Sequence, residues 1–377
     1  MYKSVDMFEE PRGILEKMSE PYVEMTSADH GFLCGLIREN CPKKVVEVGV
    51  AGGGTTAVIM NCLSMTGNRD AVMYSVDLNE ECYRRERKRT GWQLEEVRDY
   101  LDNYQNHTFL LGERLPKVVH ELGGDIDMVV LDTVHALPGE MLDFLCIYPH
   151  LSQNAIVVLH DVTNNFIRYE HSIATKILLD SVSGEKYFNL ADGLPNIGAF
   201  RITEETRANI ENVFSALSIT WCYLESLETL IEYRKQYQRF YPRECLKLFD
   251  QIVRMQYQSY ARNRADVNGE MSRFLEICGS ERKLYLYGAG IRGNQLREFI
   301  LKQGFRIDGF VISDNFKPED FIHLNTETFR ISEIPEGAFD LILATPAPEV
   351  FVGLLEKGIC FEFFSEKFFE RIAVQER

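Results

Sequence analysis

Two pairs of side chains, Asp132 with His135 and His160 with Asp161, are the residues of this 377-residue chain best suited to acid–base or metal chemistry. Each pair follows an apolar run, Ile126 to Leu131 and Ala155 to Leu159, so each falls just past the carboxyl end of an expected strand. Open α/β sheets place their sites there. Asp132, Asp161 and His160 form a donor set suited to a divalent cation, with Mg2+ the default for oxygen-rich coordination. Such an ion would chelate substrate hydroxyls and lower the pKa of one of them. His135 is alternatively a general base, since an unperturbed imidazole titrates near neutrality. A structural reading stands beside both: the carboxylates cap helices or bind loop amides, and the histidines are buried and hydrogen-bonded.

These pairs need a frame, and residues 45–56 supply its first part. Val45, Val46 and Val48 suit a buried parallel strand, Gly49 to Gly54 a turn, and Thr55 onward a helix start. A glycine turn into a helix N-terminus lets ligand atoms approach backbone N–H groups closely. Asp77 ends the next strand, 28 positions after Gly49, where a carboxylate can accept both hydroxyls of a ribose. Dinucleotide enzymes use a similar turn, but they want G-x-G-x-x-G directly after the strand. This chain has Gly49-Val-Ala-Gly52-Gly53-Gly54, and the preceding Glu47 has no phosphate-binding use.

The Glu47–Gly54 turn and Asp77 resemble motif I and the following acidic position of class I S-adenosylmethionine-dependent methyltransferases. The resemblance implies that Glu47, Gly49, Gly52 and Thr55 shape the turn around the methionine moiety while Asp77 holds the ribose. Glu113, after Gly112, falls where related enzymes contact the adenine or its ribose; its other reading is an acid at a helix N-terminus. Asp132-Thr-Val-His135 and His160-Asp161 are similar to the D-G-x-H and h-D motifs of methyltransferase family 24 and its sugar and macrolide O-methyltransferase relatives. Thr133 stands where that pattern has glycine. The resemblance spans roughly residues 40–200. It implies that Asp132 borders the cofactor as well, and that His135, His160 and Asp161 carry the catalysis.

Composition bounds the partners. A net charge of −16 argues against nucleic acid, because phosphate neutralisation needs clustered Lys and Arg. Nine scattered cysteines without a C-x-x-C indicate a reduced, cytoplasmic protein without a zinc site. The first twenty residues hold no signal-type apolar region, and no apolar stretch approaches a membrane span. Arg84 to Arg89 is the strongest basic run, either a solvated helix face or a grip on a phosphate of a nucleotide-sugar.

Alternating apolar runs and helical patterns predict an α/β fold: a Rossmann-like methyltransferase sheet over 1–205, a helical connector over 206–280, and a second, smaller Rossmann-like domain over 281–377. A late strand at Ile197 to Ile202 would close the first sheet. The Tyr and Arg residues interleaved over 233–257 read as amphipathic helices packing between domains, with nucleic-acid binding the alternative. In the last domain, strands are expected at Leu284 to Tyr287, Ile307 to Ile312, Phe339 to Thr345 and Cys360 to Phe364. Gly288-Ala-Gly290-Ile-Arg-Gly293 follows the first of these, with Asp314 26 positions after Gly288 and Arg292 inside the turn. That is a nucleotide-type fingerprint. The unit resembles small modules attached to bacterial sugar-modifying enzymes.

The expected activity is methylation of a hydroxyl on a sugar, nucleotide-sugar or other polar metabolite, with S-adenosylmethionine and Mg2+ as cofactors and a homodimer left open. Two rivals remain at this point. One is an NAD-dependent or nucleotide-sugar-modifying oxidoreductase working at the Gly288 turn, although no Tyr-x-x-x-Lys accompanies it. The other is a non-catalytic nucleotide-binding scaffold, against which the two strand-end pairs argue.

Overall fold

β1 (Lys44–Val48) is buried along most of its length, as its valines require. Around it the computed structural model, which describes residues 2–167, 171–190, 194–319, 321, 326–335, 337–345 and 347–375, builds a seven-stranded sheet. The other strands are β2 (Val72–Asp77), β3 (His107–Leu111), β4 (Ile126–Leu131), β5 (Leu151–His160), β6 (Lys186–Tyr187) and β7 (Ile197–Arg201). Their order is β3-β2-β1-β4-β5-β7-β6. β1 to β5 are parallel, whereas β7 runs antiparallel to β5, and β6 antiparallel to β7. The late strand is therefore present, and its direction is reversed. β6, only two residues long, is too short to leave a periodic signal. The strand order reverses between β1 and β4, the topological position at which open α/β sheets place their ligands.

The chain separates into two units. Residues Met1–Tyr223 with Gln236–Cys245 form the first, and Leu224–Lys235 with Leu246–Arg377 the second. In the first, Thr26 and Asp29 form a reciprocal capping box that starts the helix Ser27–Asn40. That helix and Gly54–Met65 pack Phe32, Leu36, Ile37, Val58, Ile59 and Leu63 against Val45, Met73, Met128, Val130 and Val158 of the sheet. Each fully buried side chain of this size contributes about 1.5–3 kcal/mol before ordering entropy is subtracted. The helix Gly139–Ile147 is buried throughout, and its carbonyls at Leu142 and Leu145 accept from the hydroxyls of Tyr237 (2.8 Å) and Tyr241 (2.7 Å). These tyrosines of the interleaved segment thus serve packing against that helix.

The second unit carries a four-stranded parallel sheet of β8 (Lys283–Tyr287), β9 (Gly309–Ile312), β10 (Thr328–Arg330) and β11 (Phe339–Leu343), in the order β10-β9-β8-β11. Arg234 and Asp250, both buried, join two of its helices through contacts of 2.7 and 2.9 Å. Removing one partner of such a pair costs about 3–5 kcal/mol. The strand expected at Cys360 to Phe364 does not form. Glu362 makes a single bridge to Ile342, after which Arg273 binds the carbonyl of Phe363 and Glu270 binds Ser365, turning the chain into a helix. The helix Ile291–Lys302 follows the Gly288 turn as expected. Arg292, however, pairs with Glu366 and lies over the Phe369 ring, while Asp314 accepts from the Ser332 amide and pairs with Lys357 at 3.1 Å. Both charged groups expected to face a ligand there are engaged within the unit. Among the described residues, no helix is long and apolar enough to cross a membrane.

Candidate active site

The glycine turn sits where the sequence places it, and the reason for its first glycine is steric. Gly49 has φ +94°, and a Cβ on it would stand 1.9 Å from the carbonyl oxygen of Asp132. Asp77 braces the same turn: its Oδ2 accepts from the amides of Val50 (2.9 Å) and Ala51 (3.2 Å), and its Oδ1 from the amide of Asn79 (2.8 Å). The Asn79 side-chain amide also donates to Oδ1, at 3.4 Å, so all of the carboxylate's roughly four acceptor positions are engaged, and a ribose hydroxyl would take the place of that long Asn79 contact.

The other residues expected at the cofactor face the protein's own chain. Glu47 is 2% exposed and accepts from Thr56 Oγ1 (2.7 Å) and Ser75 Oγ (2.8 Å). Burial pushes its carboxyl up to about 8, so it supports the turn from within as a largely neutral acid. A Cβ on Gly52 would meet Gln93 Oε1 at 2.7 Å and the Tyr22 ring at 3.0 Å. Thr55 Oγ1 lies 3.2 Å from the buried His30 Nε2. Glu113 is exposed and pairs with Lys117 at 3.0 Å. The run Arg84 to Arg89 occupies turns rather than a helix face; Arg84 pairs with Glu24 and Arg85 with Glu20.

The two strand-end pairs come together in one cluster. His135 Nε2 stands 3.0 Å from Asp161 Oδ2 and 3.8 Å from Asp132 Oδ1. His160 Nδ1 stands 3.0 Å from Asp132 Oδ1 and 3.7 Å from Asp161 Oδ2. His135 and Asp161 have φ of 60° and 59°, a left-handed conformation in which His and Asp are enriched among non-glycine residues. The turn of Asp161 is held by Asn196, whose amide donates to Oδ1, and by Thr175, whose hydroxyl donates to the Asp161 carbonyl at 2.9 Å.

Three contributors were not legible in the sequence. Glu140 has no exposed surface; its Oε1 accepts from the His135 amide (2.6 Å) and from Thr133 Oγ1 (3.1 Å). Thr133, which departs from the glycine of the motif, is thereby tied to the same carboxylate. Asp29 brings its Oδ2 to 3.8 Å from His160 Nε2, and Asn196 reaches Asp161 from a distant loop. An acid early in a helix reads from sequence as an ordinary N-terminal acid, which hid Glu140 and Asp29 alike.

Charge follows from this packing. Burial by itself would lower the pKa of His135, but the Asp161 and Glu140 carboxylates override it and raise it to about 11. The same contest at His160, decided by Asp132 and Asp29, gives about 10. Burial opposes ionisation of Asp161, yet the His135 and His160 imidazoles bring its carboxyl down to about 2. The resting cluster is a set of carboxylates compensated by imidazolium groups.

Asp132, His135 and Asp161 each offer one ligand atom, all within 4.8 Å of one another. Two carboxylate oxygens and an imidazole nitrogen at that spacing fit a small divalent cation. The imidazole of this convergent set belongs to His135. His160, expected in the set, is 2% exposed and hydrogen-bonds Asp132 from deeper in the protein.

Comparison with known families matches residues 46–162 to the model of a methyltransferase domain, family 24. No curated protein matches the chain. Among solved structures it is similar to the O-methyltransferase TomG from Streptomyces achromogenes, involved in tomaymycin synthesis and solved with SAM. That likeness has 14% identity and a TM-score of 0.38, over 54% of this chain and 92% of that one. It is also similar to an O-methyltransferase from Bacillus cereus in complex with SAH, at 13% identity and a TM-score of 0.34, over 52% of this chain and 90% of that one. At these values the likenesses assign neither acceptor nor mechanism.

Proposed function

We propose that this chain, which carries a class I S-adenosylmethionine-dependent methyltransferase domain at residues 46–162, methylates a hydroxyl oxygen of a sugar, nucleotide-sugar or other polar metabolite. The observation that carries the reading is the convergence of Asp132, His135 and Asp161 at the carboxyl ends of β4 and β5, beside the turn braced by Asp77. S-adenosylmethionine, when bound, supplies an electrophilic methyl carbon on a sulfonium. Asp77 accepts its ribose hydroxyls, and Glu47, Gly49, Gly52 and Thr55 maintain the turn against which it lies, with Glu113 at the rim.

The acceptor hydroxyl is placed at the acid–imidazole cluster. His135 Nε2 takes its proton as the oxygen forms the new bond to carbon, and the carbon–sulfur bond breaks with its electron pair left on sulfur. In-line placement of oxygen, carbon and sulfur is the main catalytic task. His135 is held protonated by the Asp161 and Glu140 carboxylates beside it. Both roles open to it, ligand and base, need the nitrogen free. Asp132 and Asp161 would hold a divalent cation such as Mg2+, which would supply compensating charge and polarise the acceptor oxygen. His160 and Asp29 keep Asp132 oriented. The choice of a hydroxylated acceptor is supported by this chelating chemistry and by the second unit's four-stranded parallel sheet, which suits a nucleotide-binding domain.

The test measures SAM and SAH binding by calorimetry and methyl transfer from labelled SAM to a panel of nucleotide-sugars, with EDTA or Mg2+. Binding of both cofactor forms, with turnover that EDTA abolishes and Mg2+ restores, is expected. A folded protein that binds neither form refutes the proposal, and full turnover in EDTA removes the metal from it.

A further inference from the structure

We infer that Glu140 is a positioning residue for His135, holding a proton on Nδ1 so that Nε2 is the nitrogen presented to Asp132, Asp161 and the acceptor hydroxyl. This rests on the reading of His135 as the proton-accepting group of a methyltransferase.

Glu140 lies in the first turn of the helix Gly139–Ile147 and has no exposed surface. A carboxylate is rarely buried so completely unless a specific partner compensates it. Its Oε1 binds the His135 backbone amide at 2.6 Å, a short charge-assisted bond that fixes where the residue begins. The same oxygen stands 3.4 Å from His135 Nδ1, an ion-pair separation longer than a good hydrogen bond. Glu140 Oε2 and His135 Nδ1 are both buried atoms without a hydrogen-bond partner. They belong to the two side chains that already approach to 3.4 Å through Oε1. Catalytic hydrogen bonds in unliganded enzymes are often long in this way and tighten when the substrate arrives.

The opposite ring nitrogen is already directed. His135 Nε2 is 3.0 Å from Asp161 Oδ2 and 3.8 Å from Asp132 Oδ1, so the ring spans from a buried acid to the convergent site. Which nitrogen of a histidine works is set by the hydrogen bond the other makes. A carboxylate behind an imidazole holds the ring in one tautomer and one orientation, as in hydrolase triads on unrelated folds. Thr133 Oγ1 donates to the same Oε1 at 3.1 Å, which holds the carboxylate itself. The helix bearing Glu140 is anchored by Tyr237 and Tyr241, so the carboxylate is attached to a rigid element.

The experiment uses full-length protein labelled with 15N-histidine and saturated with SAH. Wild type is expected to show His135 Nδ1–H as a solvent-protected proton resonance, assigned by its disappearance in His135→Gln. Glu140→Gln is expected to keep the backbone contact and SAH affinity while Nδ1–H loses protection. Turnover of nucleotide-sugar probes should then fall in kcat rather than KM, on the order of 10²-fold. Thr133→Val, which removes the hydroxyl's bond to Glu140 together with its longer contact to Asp143 Oδ2 at 3.5 Å, should show a smaller loss of the same kind. A Glu140→Gln protein that retains the protected Nδ1–H, or a wild type whose Nδ1 carries no proton, overturns the proposal. An intact Nδ1–H signature in a chain whose His135→Gln variant turns over normally instead refutes the catalytic reading of His135.

Discussion

Gly49 and the carbonyl of Asp132 are in contact: a single methyl group on Gly49 would stand 1.9 Å from that oxygen. The turn proposed to receive the cofactor and the strand end that begins the acid–imidazole cluster therefore have no room between them. The Asp132 amide donates to the Val48 carbonyl at 2.9 Å, which ties the same two elements from the other side. Gly49→Ala must move one of them and also adopt φ +94°, which an L side chain resists. Loss of SAH binding and a thermal destabilisation of about 1–3 kcal/mol or more are expected. Calorimetry and melting curves would show both effects. A variant with wild-type affinity would mean that the two strand ends can separate freely.

Asp77 braces the turn and is proposed to accept the ribose hydroxyls, and different substitutions separate the two. Asp77→Ala removes the bonds to Val50 and Ala51 along with any to the ribose, and a charged hydrogen bond of this kind contributes about 1.5–3 kcal/mol. SAH affinity should fall at least about tenfold. Asp77→Asn keeps one acceptor oxygen for the turn but weakens acceptance from two hydroxyls. It should melt near wild type and still bind SAH poorly. Equal affinity in wild type and a folded Asp77→Asn protein would leave the carboxylate as a brace for the turn alone.

How far the sequence reached depends on the range of each interaction. The parallel strands were legible because β1, β4 and β5 are dense in valine, isoleucine and leucine, with glycine or acid at their ends. Asp132, His135, His160 and Asp161 were legible because strand ends bring short motifs together. Glu140 and Asn196 were not, because their roles are set by tertiary packing and by a loop that returns from far along the chain. The direction of β7 was equally hidden, since an antiparallel edge strand has the same composition as a parallel one. Arg84 to Arg89 looked helical by charge density, yet Gly91 and the bridge from Glu81 to Arg89 bend the segment into turns.

Glu47 gives stability an unusual pH dependence. An unfolded glutamate titrates near pH 4.3, while the buried Glu47 carboxyl titrates at about 8. Between those values the folded chain holds a proton that the unfolded chain has released, so stability falls as pH rises through this window. The contribution is fully present below the unfolded value and gone above the folded one. Glu47→Gln cannot ionise, and its amide oxygen can still accept from Thr56 and Ser75. Melting temperatures taken between about pH 5 and pH 9 should show the variant gaining on wild type as pH rises, then running parallel to it. Parallel curves across the whole range would mean that Glu47 is ionised in the folded protein throughout.

Gly293 allows the corresponding prediction for the second unit. Its missing side chain lets the helix Ile291–Lys302 approach the Gly288 turn so closely that a Cβ would lie 1.8 Å from the Gly288 carbonyl oxygen. That oxygen is backbone, so the clash cannot be relieved by rotating a side chain. Gly293→Ala must lift the helix from β8, next to Leu286, Leu296 and Phe310, which are fully buried. Opening a core of this kind costs on the order of 1–3 kcal/mol. Hydrogen exchange should therefore quicken across residues 283–312. SAH affinity should remain at the wild-type value, because every residue assigned to the cofactor belongs to the first unit. If turnover of nucleotide-sugar probes also falls, the second unit takes part in presenting the acceptor. If exchange quickens while turnover holds, the unit's Gly288 fold is kept for its own stability.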